Sequence, residues 1–133
     1  MKKSGVINAK LAGALAELSH TDRVVVCAAG LPLPPGPEVV DLAFRFGVPS
    51  FEVVLSGLLE ELTVEGVTAA EEVERTPRPH ELLTAKLPDL GLVPHEELKR
   101  MVAAAKLVVR TGDDTPYSNV VLRRRVPFYS DLR

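Results

Sequence analysis

A β-branched run that ends in a stiff loop constrains this chain more than any other feature. Arg23-Val24-Val25-Val26-Cys27 is short and almost wholly apolar, the pattern of a strand buried on both faces of a sheet. Ahead of it, Leu11, Leu15 and Leu18 recur at helical spacing with alanines between them, and Asn8 stands where an N-cap belongs. That spacing predicts a helix over 9–19, with His20 at or just past its end. Behind the strand comes Ala28-Ala29-Gly30-Leu31-Pro32-Leu33-Pro34, and Pro32, Pro34, Pro35 and Pro37 together keep the segment out of helix. Helix, buried strand and rigid loop in that order open an α/β domain. In open α/β sheets, ligands gather at the carboxyl ends of strands.

The remaining chain keeps alternating. Val39 to Phe44 fits a second strand, although its pattern also allows helix. Gly47-Val48-Pro49 breaks the chain, and Ser50 caps a helix running to about Leu62. Val64 to Val73 reads as a strand, and Pro79-His80-Glu81 starts a helix that ends before Pro88. His95 to Ala104 is amphipathic, with Leu98, Met101 and Val102 on one side. Lys106 to Arg110 and Asn119 to Arg123 are the last strands, separated by a Gly-Asp-Asp-Thr-Pro turn. The expectation is one α/β domain over residues 1–133, with helices on both faces of a largely parallel or mixed sheet of about six strands.

Composition removes several function classes. At 133 residues and 46% hydrophobic, the chain can bury a core without metal or disulfide. A net charge of −2 leaves no electrostatic footprint for nucleic acid. Arg123-Arg124-Arg125 is a short basic run that reads as a solvated strand end or a subunit contact. Cys27 stands alone, which fits a reducing compartment and an inert buried thiol. No apolar run is long enough to span a bilayer, and Met1-Lys2-Lys3-Ser4 does not open a signal peptide. A cytoplasmic location is expected. The three histidines are too scattered for metal-ligand spacing, and no phosphate loop or nucleophile elbow is present.

A free imidazole has a pKa near neutrality, which makes His20 the best single acid–base candidate, against a plain role at a helix C-terminus. Asp22, two residues on, either orients that ring or caps the start of the strand. His95 and Lys99 lie in Pro-His-Glu-Glu-Leu-Lys, which on its own reads as an exposed helix start. Tyr117 and Asn119 precede a strand, and alternation places them on one face with Ser118 on the other.

These segments together resemble the ribose/fucose mutarotase family. The likeness is carried by Gly5-Val6-Ile7-Asn8, Ser19-His20-Thr21-Asp22, Gly30-Leu31-Pro32-Leu33-Pro34 and Gly47-Val48-Pro49-Ser50-Phe51. It continues through His95-Glu96-Glu97-Leu98-Lys99, Arg110-Thr111-Gly112 and Pro116-Tyr117-Ser118-Asn119-Val120-Val121-Leu122, in order along nearly the whole chain. The resemblance implies a three-layer α/β/α fold and a cofactor-independent, metal-free sugar isomerase. Its substrate would be D-ribose, exchanged between pyranose and furanose rings, with an L-fucose-type mutarotase as the alternative. It implies His20 as proton donor, with position 28, His95, Lys99, Tyr117 and Asn119 contacting the sugar. It also implies a homo-oligomer, a decamer of two pentameric rings, in which Tyr117 and Asn119 reach a neighbour's site. One position departs: the family has Asp where this chain has Ala28. The loss either leaves an inactivated, purely sugar-binding variant or is made good by a nearby acid such as Asp22.

Overall fold

The computed structural model describes residues 1–76, 81, 83, 85 and 90–124. Helix α1 (Ala9–Ala16) begins where the Asn8 side chain accepts a hydrogen bond from the Leu11 N–H at 2.9 Å. Strand β1 (Arg23–Cys27) follows, then β2 (Glu38–Asp41). Helix α2 (Phe51–Glu61) is capped by Ser50, whose Oγ accepts from the Val53 N–H. Strand β3 (Val64–Ala70) runs into a single 3-10 turn (Glu71–Arg75). Strand β4 (Leu90–Val93), helix α3 (His95–Ala103), β5 (Leu107–Arg110) and β6 (Val120–Arg124) complete the order.

Several boundaries differ from the sequence expectations for local reasons. Helix α1 stops before Ser19 because the Asp22 carboxylate accepts from both the N–H and the hydroxyl of Ser19, closing a turn. Strand β2 ends at Asp41, not Phe44, because the Asp41 side chain accepts from the Ala43 N–H and turns the chain. The stretch read as strand to Val73 becomes 3-10 after Ala70. Strand β4 was not anticipated. Residues 81, 83 and 85 are helical and Leu83 is fully buried, while the rest of the helix expected over 79–88 lies outside the described residues, as do His80 and Arg125.

The six strands form one sheet in the order β2-β5-β1-β6-β3-β4. Strand β5 pairs in parallel with β1 and β2, and β3 pairs in parallel with β4. Only β6 is antiparallel, wedged between β1 and β3. Both faces are covered. Leu11 and Leu15 of α1 and Phe51, Leu55 and Leu58 of α2 pack with Val24, Val26, Val109 and Leu122 on one side. On the other, Leu98 and Val102 of α3 pack with Val25, Cys27, Val108 and Val121. Consecutive β1 residues thus serve opposite cores, which is why the strand is apolar without alternation. The result is a three-layer α/β/α domain with a mixed six-stranded sheet.

After β5 the backbone passes tightly under the loop that follows β2. The Gly112 N–H donates to the Pro49 carbonyl at 2.9 Å, and the Gly112 carbonyl accepts from the Gly47 N–H at 2.6 Å. A Cβ at position 112 would collide with the carbonyl groups of Arg45 and Val48. Gly112→Ala therefore forces two backbone segments apart, and we expect a loss of about 1–3 kcal/mol, read as a lower urea midpoint with an unchanged m-value.

Candidate active site

The topology brings four chain segments to one edge of the sheet. Ala28 follows β1, the 3-10 turn follows β3, and His95 follows β4. Asn119 precedes β6, and because β6 runs the other way it arrives at that same edge. Between them is a cavity of about 210 Å³ whose wall includes Ala28, Leu31, His95, Asp114, Tyr117 and Asn119. That is smaller than the roughly 300–1,000 Å³ pockets of drug-sized ligands, so it suits a small polar molecule.

Asn119 is 4% exposed, and its Oδ1 accepts from the Ala28 N–H at 2.9 Å. The bond ties the loop after β1 to the start of β6 and leaves the amide NH₂ as the donor this side chain offers. Helix α3 has Pro94 at its N-cap, which supplies no side-chain acceptor. The Glu72 carboxylate substitutes, accepting from the His95 N–H at 3.1 and 3.3 Å, with its charge at the positive end of the helix. His95 Nδ1 is buried with no partner among the described residues, and the residue lines the cavity. The His95 ring meets Tyr117 edge to face, with centroids 5.3 Å apart and planes at 88°.

Tyr117 has φ +62°, the left-handed region. Tyr117 and Asn119 do converge on the cavity with Ser118 buried away from solvent, but strand alternation is not the cause, because β6 begins only at Val120. The turn at Tyr117 aims its ring.

The rim is fixed by a compact hydrogen-bond network. The Arg110 guanidinium donates twice to the Ala29 carbonyl, at 3.0 and 2.8 Å, and also pairs with Asp41 at 2.9 Å. Thr111 Oγ1 donates to the Cys27 carbonyl. The Asp113 carboxylate accepts from the Phe51 N–H and from the Thr115 N–H, and its carbonyl accepts from the Ala29 N–H. Sequence reading missed Glu72, Asp113, Asp114 and Thr115. The Gly-Asp-Asp-Thr-Pro pattern signals the turn but gives no sign that one acid faces inward to the protein and the next faces the cavity.

Three of the expected site residues lie elsewhere. Lys99 stands one helical turn from His95 on α3, pairs with Glu96 at 3.5 Å, and does not line the cavity. His20 is exposed in the turn before β1, at the opposite end of that strand from Ala28. Five strand residues at about 3.3 Å each separate the two ends by on the order of 16 Å, so His20 and the cavity of its own chain do not meet. Asp22 shares that far end, where its carboxylate accepts from Ser19 and caps the turn, remote from Ala28 of its own chain. Tyr117 and Asn119 sit in the same chain's pocket as Ala28 and His95. The antiparallel course of β6 returns them to the edge where Ala28 lies. His20 is the group remote from the pocket.

Cys27 is fully buried beneath the rim. Burial raises its thiol pKa to about 12, Arg110 opposing that shift and Asp41 adding to it. The native thiol stays protonated while the unfolded chain ionises near 9, so stability falls as pH rises from about 9 towards 12. Iodoacetamide at pH 9 should leave the native chain unmodified and alkylate it fully in denaturant. For the helix cap, Glu72→Ala should cost about 0.5–2 kcal/mol and shift the His95 imidazole resonances, whereas loss of stability with unmoved His95 signals would separate Glu72 from the site.

Comparison with known proteins bears on what this pocket does. Residues 1–127 match the model of the RbsD / FucU transport protein family. A D-ribose pyranase 1 of Rubrobacter xylanophilus is 64% identical over 96% of this chain and 100% of its own length. A D-ribose pyranase 2 of Streptomyces griseus is 60% identical over the same shares. Among solved structures, Bacillus subtilis RbsD complexed with D-ribose superposes with a TM-score of 0.90 at 40% identity, covering 96% of this chain and 100% of that one. The fucose mutarotase of Streptococcus pneumoniae in complex with L-fucose shares the fold, with a TM-score of 0.78 at 16% identity over 92% of this chain and 95% of that one. With the family match spanning almost its whole length and these relatives aligned end to end, this chain belongs to the RbsD / FucU family.

Proposed function

We propose that this chain is a cofactor-independent isomerase that interconverts the pyranose and furanose forms of D-ribose. One observation carries the reading: His95, Tyr117 and Asn119 converge on a cavity of monosaccharide scale in a chain 64% identical to a D-ribose pyranase. Ribose is preferred over L-fucose because two D-ribose pyranases align end to end at 64% and 60% identity, while the fucose mutarotase shares only the fold.

The chemistry asks little of the protein. Ring opening breaks the bond between C1 and the ring oxygen; that oxygen gains a proton while the anomeric hydroxyl loses one, giving the open aldehyde. Reclosure adds the C4 hydroxyl oxygen to C1, with the two proton movements reversed. One or two groups titrating near neutrality suffice, for a gain of about 10²–10⁴-fold. Within the pocket the Asn119 amide donates to a sugar oxygen, His95 exchanges a hydrogen bond with a hydroxyl, and the Tyr117 ring backs the apolar face of the sugar. Ala28 forms a small apolar part of the wall, 6% exposed.

His20 acts as proton donor from a neighbouring copy. Its exposure at the far end of β1 supports this, since such a side chain is placed to enter another molecule's cavity. The assembly is therefore a homo-oligomer whose sites are shared, a decamer of two pentameric rings in our reading. Lys99, one turn from His95 on the same helix face, supports charge from just outside the cavity wall. The single buried thiol and the sugar substrate fit the cytoplasm.

Magnetisation transfer between ribose ring forms, followed by NMR, tests the proposal. The protein should accelerate exchange, and His20→Ala and His95→Ala should each lower the rate at least about tenfold. Mixed oligomers of the two variants should regain activity, because a pocket with intact His95 then meets an intact His20. No acceleration by the unaltered chain sinks the enzyme reading; silent mixtures sink the shared site.

A further inference from the structure

We infer that Asp114 contacts the substrate, its carboxylate accepting a hydrogen bond from a hydroxyl of the bound sugar. The inference rests on the sugar-binding reading of the pocket and adds a residue to it.

Asp114 is the one acidic residue among the described residues that line the cavity. A monosaccharide presents several hydroxyl protons, and each needs an acceptor when water is displaced. The obvious acceptors at this edge are committed elsewhere. Asn119 Oδ1 is taken by the Ala28 N–H, and the Ala29 carbonyl is taken twice by Arg110. The adjoining carboxylate, Asp113, is spent on the Phe51 and Thr115 amides. Asp114 has no hydrogen bond or ion pair among the described residues and is exposed at the cavity wall. An ionised carboxylate accepts through two oxygens and never donates, so it complements the amide NH₂ of Asn119 on the same wall.

Its backbone is also held in place. Asp113 on one side is anchored by hydrogen bonds to Phe51 and Ala29, and the Thr115 N–H on the other side is held by Asp113 Oδ1. Pro116 then fixes the next φ. An exposed acid on a pinned backbone pays little ordering entropy when it grips a ligand. Because the group is wet, its contribution is smaller than that of a buried charged bond.

The test is titration of the full-length chain with D-ribose and with 2-deoxy-, 3-deoxy- and 5-deoxy-D-ribose, alongside ring-exchange rates. Asp114→Ala should raise the ribose dissociation constant roughly three- to tenfold, Asp114→Asn by less, and the exposed Glu52→Gln on α2 not at all. For at least one deoxy sugar, Asp114→Ala should bind as the unaltered chain does, because the hydroxyl in question is already missing. The thermal midpoint should stay put. Ribose affinity unchanged in Asp114→Ala overturns the inference, as does an equal loss against every sugar. Should the unaltered chain bind ribose without hastening exchange, the isomerase reading fails while Asp114 is still judged on these constants. Should it bind no ribose, both fall.

Discussion

The hydrogen bond from the Ala28 N–H to Asn119 Oδ1 ties together the two sides of the pocket. It exists because β6 runs against β1 and β3. A parallel sixth strand would have delivered its amino end, and Asn119 with it, to the far edge of the sheet. The bond is buried and joins residues 91 positions apart, so leaving either partner unsatisfied costs about 1–3 kcal/mol. Around it, Arg110 and Asp113 fasten the loop after β1 by its carbonyl and its amide. The pocket is thus built from backbone held by side chains, with little left to order when a ligand arrives.

Much of this was legible from the residues alone. The three-valine run of β1, the Asn8 and Ser50 caps, and the Leu98 and Val102 face of α3 all follow from local rules. Strand β4 did not, because Leu90-Gly91-Leu92-Val93 is a four-residue edge strand with a central glycine and exposed positions; it gives neither alternation nor a buried run. The length of α1 was misjudged because the Asp22–Ser19 turn competes with helix only in three dimensions.

Which of the candidate residues share one cavity was not legible. Chain proximity suggested that His20 shared a site with the loop after β1, yet a strand is a spacer and puts its two flanks at opposite edges of a sheet. Chain distance was just as misleading for Glu72 and His95. They are 23 positions apart and meet because β3 and β4 are parallel neighbours, each delivering its following residues to one edge. No periodicity in the sequence carries that information.

Tyr117 illustrates what such a site demands of the fold that carries it. A bulky aromatic in the left-handed region is rare, and holding it there forfeits about 1–3 kcal/mol. A chain shaped only by thermal endurance would place glycine or asparagine in that turn and give up the aromatic wall. The position therefore trades durability for an aromatic cavity wall, at a single backbone torsion underwritten by the two hydrophobic cores that Tyr117 touches on either side of the sheet.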